Sequence, residues 1–484
     1  HRDLHSFPTR RSSDLHEIAN VCGVEGLRFM IEDAKRANLD IHFMIPSCVP
    51  ATPFETAGGK IRVQDIQAWK QKKKVLGLGE VMDYPSVLSL EPTMMAKIKT
   101  MNSRVIDGHA PSLQGKELSL YHAIGIQTDH EAITQEEAKE RVKIGMYVHL
   151  RQGSQTQNVL DLLPAVTPDN HHRFLFCSDD YHPADILAKG HINHHVNLAI
   201  EFGIPPMHAI RMATINAATC YGLHDVGSIE VGKQANFILF DSLTHIVPKA
   251  VYYHGKQVNQ IPEVPPLKKP DFPSVFDTIH LPKQPLDFTL PVSSPYVHVM
   301  GLEKNNVTTT NEKHQVTLKN GFFESDISRD FLKCCVVERH SASGRIGKAI
   351  VKGYGLKQGA MAMSIAHDSH NIITIGVDDV SMATAVKQIE SIGGGIVIAN
   401  QQEIVAFLPL EIAGIMTQKD AIQVRNTLQN MEEIIREMGV HPEIQDPFLQ
   451  LAFLALPVIP KLKLTDYGLF DVERFHWTPL EWED

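Results

Sequence analysis

The chain has 484 residues, 43% of them hydrophobic and 21% charged, with a formal net charge of -10 and 26 histidines. That composition suits a globular chain of two or three domains. Without a long basic run it lacks the electrostatic footprint of a nucleic-acid binder, and no apolar run reaches the ~18 residues of a membrane-spanning helix. The six cysteines are scattered, none in a C-x-x-C pair, which argues against a disulfide framework or a thiolate zinc site and for a reducing, cytoplasmic setting.

Residues 1–15, HRDLHSFPTRRSSDL, have no initiator Met and lack the apolar core of roughly 7–15 residues that a signal peptide needs. They read as a non-native segment, and the fold is expected to begin at His16. Short apolar runs follow: IHFMIPS (41–47), VLGLGE (75–80), RVIDGH (104–109), IGIQTDH (124–130), GMYVHLR (145–151) and FLFCSDD (174–180). Helix-like stretches lie between them, VEGLRFMIEDAKRAN, EPTMMAKIKTMN, LSLYHAIG and ITQEEAKERVKIG. Strand alternating with helix predicts βα units on a parallel sheet, and six in series suit a (β/α)₈ barrel, incomplete at its start, better than an open sheet. Residues 16–223 are assigned to this α/β unit and 224–261 to a small β element. The Pro-rich 262–295 reads as a linker, and 296–484 as a second, α+β domain.

Each strand-like run ends in a polar residue: Glu80, His109, His130, Arg151 and Asp179. In a barrel these ends share one face, the face that carries active sites. Two imidazoles and two carboxylates in one cup form an N/O metal site suited to manganese or iron. Glu80 suits a bridge between two metals, with a water between them as nucleophile and Asp179 taking its proton. The bland alternatives are single polar residues satisfied locally and carboxylates capping helices, a role that suits Asp180 ahead of PADILAKG.

Several longer stretches resemble the bacterial adenine deaminases of the amidohydrolase superfamily. They are PSCVPATPFETAG (46–58), GLGEVMDYPSV (77–87), IDGHAPSLQGKELSLY (106–121), TDHEA (128–132), CSDDYHP (177–183), AKGHINHHV (188–196) and GSIEVGKQANF (227–237). The likeness continues in VVERHSASGRIGKAIVKGYGLKQGAMAMSIAHDSHNIITIGVDD (336–379). The resemblance implies hydrolysis of adenine to hypoxanthine and ammonia at a binuclear manganese or iron site, zinc suiting it less. Its ligands are Glu80, His109, His130 and Asp179. It implies substrate contacts from Arg151, Ser154, Asp180, His16 and Glu17, and a contribution from His367, Asp368 and His370 of the second domain. A homodimer acting on free adenine, with no nucleic-acid or membrane partner, is expected. The H-x-E and P-C-x-x-C signature of nucleic-acid-editing deaminases is absent.

Three departures stand out. No H-x-H pair precedes the run at 41–47, so two metal ligands of the superfamily are lacking, and the chain as written is expected to fold poorly and be inactive. Gln152 stands where the family tends to have Glu, and Asn236 where the superfamily usually has Asp. Hydrolysis of another cyclic amide and a non-catalytic homologue are the alternative functions.

Overall fold

A computed structural model describes residues 11–262, 264–304 and 306–482. The first half is a run of parallel strands and helices. Strands β1 (Arg11–Asp14), β2 (Ile41–Ile45), β3 (Val75–Val81) and β4 (Val105–Gly108) form one parallel sheet in that order. Strands β5 (Thr128–Asp129), β6 (Tyr147–Arg151) and β7 (Phe174–Cys177) form a second. The interiors of β2, β3, β6 and β7 are buried on both faces, as parallel strands covered by helices must be. Between them the helices Pro92–Met101, Gly115–Ala123 and Gln135–Lys143 occupy the predicted stretches. The last of these opens with a capping box, Thr134 and Glu137 each accepting from the other's backbone amide.

The structure departs from expectation at the start. Residues 1–10 lie outside the described residues, but 11–14, set aside on sequence grounds, form a strand parallel to β2. The edge of β2 offers unpaired amides and carbonyls, and any extended segment of the right length satisfies them. The first helix, His16–Ala34, begins well before the predicted Val24 and is kinked at Gly23, whose φ is 56°. Strands β8 (Phe237–Leu239), β9 (Ala250–Tyr253) and β10 (Lys256–Gln257) make a small antiparallel sheet.

The Pro-rich stretch is irregular but packed. Phe272 and Val275 enter the first core, with Phe272 edge-on to Phe29 at 5.4 Å, while Ile279 and Phe288 enter a core of the second domain. That domain centres on eight strands: β11 (Tyr296–Leu302), β12 (Thr309–Gln315), β15 (Phe331–Val337), β16 (Ile346–Lys352), β17 (Ala360–Met363), β18 (Ile372–Gly376), β19 (Gly395–Asn400) and β20 (Glu403–Pro409). The short hairpin β13 (Leu318–Lys319) and β14 (Phe322–Phe323) intervenes in sequence. Their order is β12-β11-β16-β15-β18-β17-β19-β20, antiparallel apart from the β11–β16 pair. The helix Asp379–Ile392 covers one face through Met382, Ala385, Val386 and Ile389. The turn between β17 and β18 carries His367, Asp368 and His370, all buried, towards the first helix.

Candidate metal and active site

Glu80 closes β3 and is the hub of the site. One carboxylate oxygen, Oε2, lies 3.0 Å from His109 Nδ1 and 3.1 Å from His130 Nε2, and those nitrogens are 3.3 Å apart. The other, Oε1, lies 3.2 Å from His16 Nδ1. The backbone is pinned as well. The Glu80 amide donates to Asp14 Oδ2 at 2.7 Å, and its carbonyl accepts from Ser47 Oγ at 2.5 Å. A Cβ on Gly79 would sit 1.9 Å from that Asp14 oxygen, so the neighbouring position has no room for a side chain. Tyr121 ties the next strand in, its hydroxyl accepting from the His109 amide at 3.0 Å and donating to the Val81 carbonyl at 2.7 Å.

Two arms extend from this hub. On one side Glu131 lies 3.4 Å from His130 Nε2 and pairs with Arg151, which also donates to Asp179 Oδ2 at 2.9 Å. Asp179 takes a left-handed backbone (φ 55°), and its side chain is 40% exposed, the most open of the predicted ligands. On the other side His16 Nε2 meets Glu17 Oε1 at 3.1 Å. Glu17 in turn contacts two imidazoles of the second domain, His367 Nδ1 at 3.0 Å and His370 Nε2. His367 is backed by the ring of Phe453, stacked at 4.6 Å. The Asp368 carboxyl lies within 4.8 Å of ligating atoms of His16 and Glu17.

The electrostatics follow from this packing. Burial alone would raise the Glu80 carboxyl, but hydrogen bonds from His109 and His130 and the charge of His16 hold it well below the usual range. Burial would lower His130, yet Glu80 and Glu131 push it up to about 10. Burial and then the charge of Asp179 raise Asp180 to about 7.

The donor set fits a divalent cation. Two imidazole nitrogens 3.3 Å apart converge on one carboxylate oxygen at 3.0 and 3.1 Å, a spacing that one cation between them would satisfy. An all-N/O set of this kind suits manganese, iron or zinc.

The predicted Glu80, His109, His130, His16, Glu17, His367, Asp368 and His370 are thus brought together, with Arg151 and Asp179 beside them. Ser154 is not among them: its hydroxyl donates to Asp185 at 2.5 Å and accepts from the His182 amide at 2.8 Å, closing its own loop. Sequence reasoning missed Asp14 and Glu131. Glu131 follows His130 directly in the TDHEA motif, so its signal was in view, whereas Asp14 lies in the segment set aside.

Comparison with known proteins identifies the family. The amidohydrolase family profile matches residues 15–269, and that of the adenine deaminase C-terminal domain matches 306–476. Adenine deaminase 2 of Carboxydothermus hydrogenoformans is 41% identical over 469 residues, spanning 96% of this chain and 82% of the relative. The chain belongs to the adenine deaminase family of amidohydrolases. The adenine deaminase of Clostridium acetobutylicum is 42% identical over 470 residues with the same coverage. A crystal structure of an adenine deaminase matches at 12% identity and a TM-score of 0.37, over 49% of this chain and 76% of that one.

Proposed function

We propose that this chain hydrolyses adenine to hypoxanthine and ammonia, a step of purine salvage or adenine catabolism. The observation that carries the reading is the convergence of Glu80, His109 and His130 on one point, in a chain of this family. The successive βα units support an incomplete (β/α)₈ barrel with these residues at the active-site end of its strands.

Glu80, His109, His130 and His16 would hold divalent manganese or iron. When bound, such a cation acts as a Lewis acid and makes water a nucleophile at neutral pH. Asp179, half-open and steadied by Arg151, takes the proton from the attacking water and returns it to the departing amine. Asp180 and Glu17 bond the purine, and His367 and His370 hold Glu17 from the other domain, with Asp368 beside them. The net charge of -10 favours a small uncharged substrate over a polyanion. The exposed rings of Tyr467, Phe475 and Trp477 offer a surface for the homodimer expected of a cytoplasmic enzyme.

One observation favours a second reading, a site impaired in loading. Glu80 Oε1 meets one imidazole, His16, where Oε2 meets two. Ammonia release from adenine and ring opening of a hydantoin to its N-carbamoyl amino acid, each measured with and without added manganese, separate the readings. Ammonia release from adenine supports the proposal, and turnover of the hydantoin alone sinks it.

A further inference from the structure

The two imidazoles that meet at Glu80 come from strands that share no ladder. β4 closes one sheet and β5 opens the other. The backbones nevertheless come very close, since a Cβ on Gly108 would lie 2.3 Å from the Thr128 carbonyl oxygen. One backbone bond crosses the seam, from the Gln127 amide to the Ile106 carbonyl at 3.0 Å, and beyond it side chains do the joining. Thr128 Oγ1 accepts from the Gly108 amide at 3.2 Å and donates to Asp107 at 2.8 Å. Beyond it Arg141, from the helix Gln135–Lys143, pairs through Nε with Asp129 Oδ2 and donates through Nη2 to the Ala110 carbonyl at 2.7 Å. Asp129 Oδ1 accepts from the Ala110 amide at 2.9 Å, closing a ring of three residues. Both charged side chains are 0% exposed. Ala110 directly follows His109, and Asp129 directly precedes His130. The ring therefore grips both peptide groups of Ala110 and ties them to the residue that launches the second imidazole.

We infer that Asp129 and Arg141 are positioning residues that carry the seam on where its backbone pairing ends and set the spacing between His109 and His130. The inference rests on the metal-site reading of those two histidines. A side chain that orients a ligand without touching the metal is worth about 10–100-fold in metal affinity. An ion pair serving stability alone would leave that affinity where it is.

The test titrates cobalt(II) into metal-free wild-type protein, Arg141→Met and Val386→Ala, following the visible absorption. Val386 is buried on the inner face of the helix Asp379–Ile392 of the second domain, so its truncation costs stability without touching the ring. Arg141→Met is expected to bind cobalt about 10–100-fold more weakly with an altered spectrum, and Val386→Ala to match wild type. Arg141→Lys keeps the charge beside Asp129, recovers part of the affinity, and serves if the methionine variant does not fold. Cobalt binding by Arg141→Met within about twofold of wild type overturns the inference. If wild type takes up no cobalt, the metal reading itself fails, and hydrogen exchange of the metal-free proteins then decides. Segments 108–113 and 128–132 should lose protection together in Arg141→Met but not in Val386→Ala, and unchanged protection overturns the clamp.

Discussion

Glu338 offers a sharp test of how the wall of the site is held. It sits just past β15, fully buried, and collects donors from a single tight turn. It accepts from the amides of His340, Ser341 at 2.7 Å and Ser343 at 3.0 Å, and from the hydroxyls of Ser341 at 2.8 Å and Ser343 at 2.7 Å. Burial opposes its charge, yet these bonds hold the carboxyl at about 2, against an ordinary 4.5. The turn matters to the site because His340 Nε2 pairs with the Ser369 carbonyl at 2.8 Å, within the segment that presents His367 and His370. The unfolded chain protonates Glu338 near 4.5 and the folded chain near 2. The carboxylate's stabilisation is therefore complete above pH 4.5 and drains as pH falls towards 2. A depression of this size is worth about 3 kcal/mol. Glu338→Gln should lose about that much at neutral pH in urea unfolding followed by tryptophan fluorescence, and the gap to wild type should close between about pH 4.5 and pH 2. A gap that stays constant from neutral pH to about pH 3 would refute the reasoning, because the loss would then owe nothing to charge.

Two other substitutions probe the site directly. Asp179→Asn removes a half-exposed carboxylate, so the melting temperature should hold while kcat falls about 10²–10⁴-fold with KM little changed; an unaltered kcat removes Asp179 from proton transfer. Gly108→Ala drives a methyl group to 2.3 Å from the Thr128 carbonyl, which should cost about 1–3 kcal/mol and weaken manganese binding. A fully stable alanine variant, measured by thermal melting, would show that the β4–β5 seam is looser than described.

Much of the candidate site is legible because it is written at strand ends. Glu80, His109, His130, Arg151 and Asp179 each close a short apolar run, and period-2 or continuous hydrophobicity locates such runs well. What the sequence could not show is how residues distant along the chain meet. Glu17 and His367 are 350 positions apart and 3.0 Å apart in space, and no local pattern encodes that contact. Ser154 is the converse case. It stands in the right loop after β6, but its hydroxyl is taken up by Asp185 and the His182 amide. The segment 11–14 was set aside for its composition, whereas the edge of β2 needs only an extended backbone, and Asp14 then reaches the Glu80 amide. The Pro-rich stretch looked like a free linker because proline spoils periodicity, yet its Phe272, Val275, Ile279 and Phe288 are spaced to enter two cores.

In the proposed reaction Glu80 would hold the cation that adenine hydrolysis needs. The most direct measurement compares adenine-dependent ammonia release, alongside bound manganese, for wild-type protein and Glu80→Gln. Wild type should bind the metal and release ammonia, and Glu80→Gln should lose the metal and about 10³-fold or more of the rate. Equal rates for the two proteins, or ammonia release by wild type stripped of metal, would contradict the account.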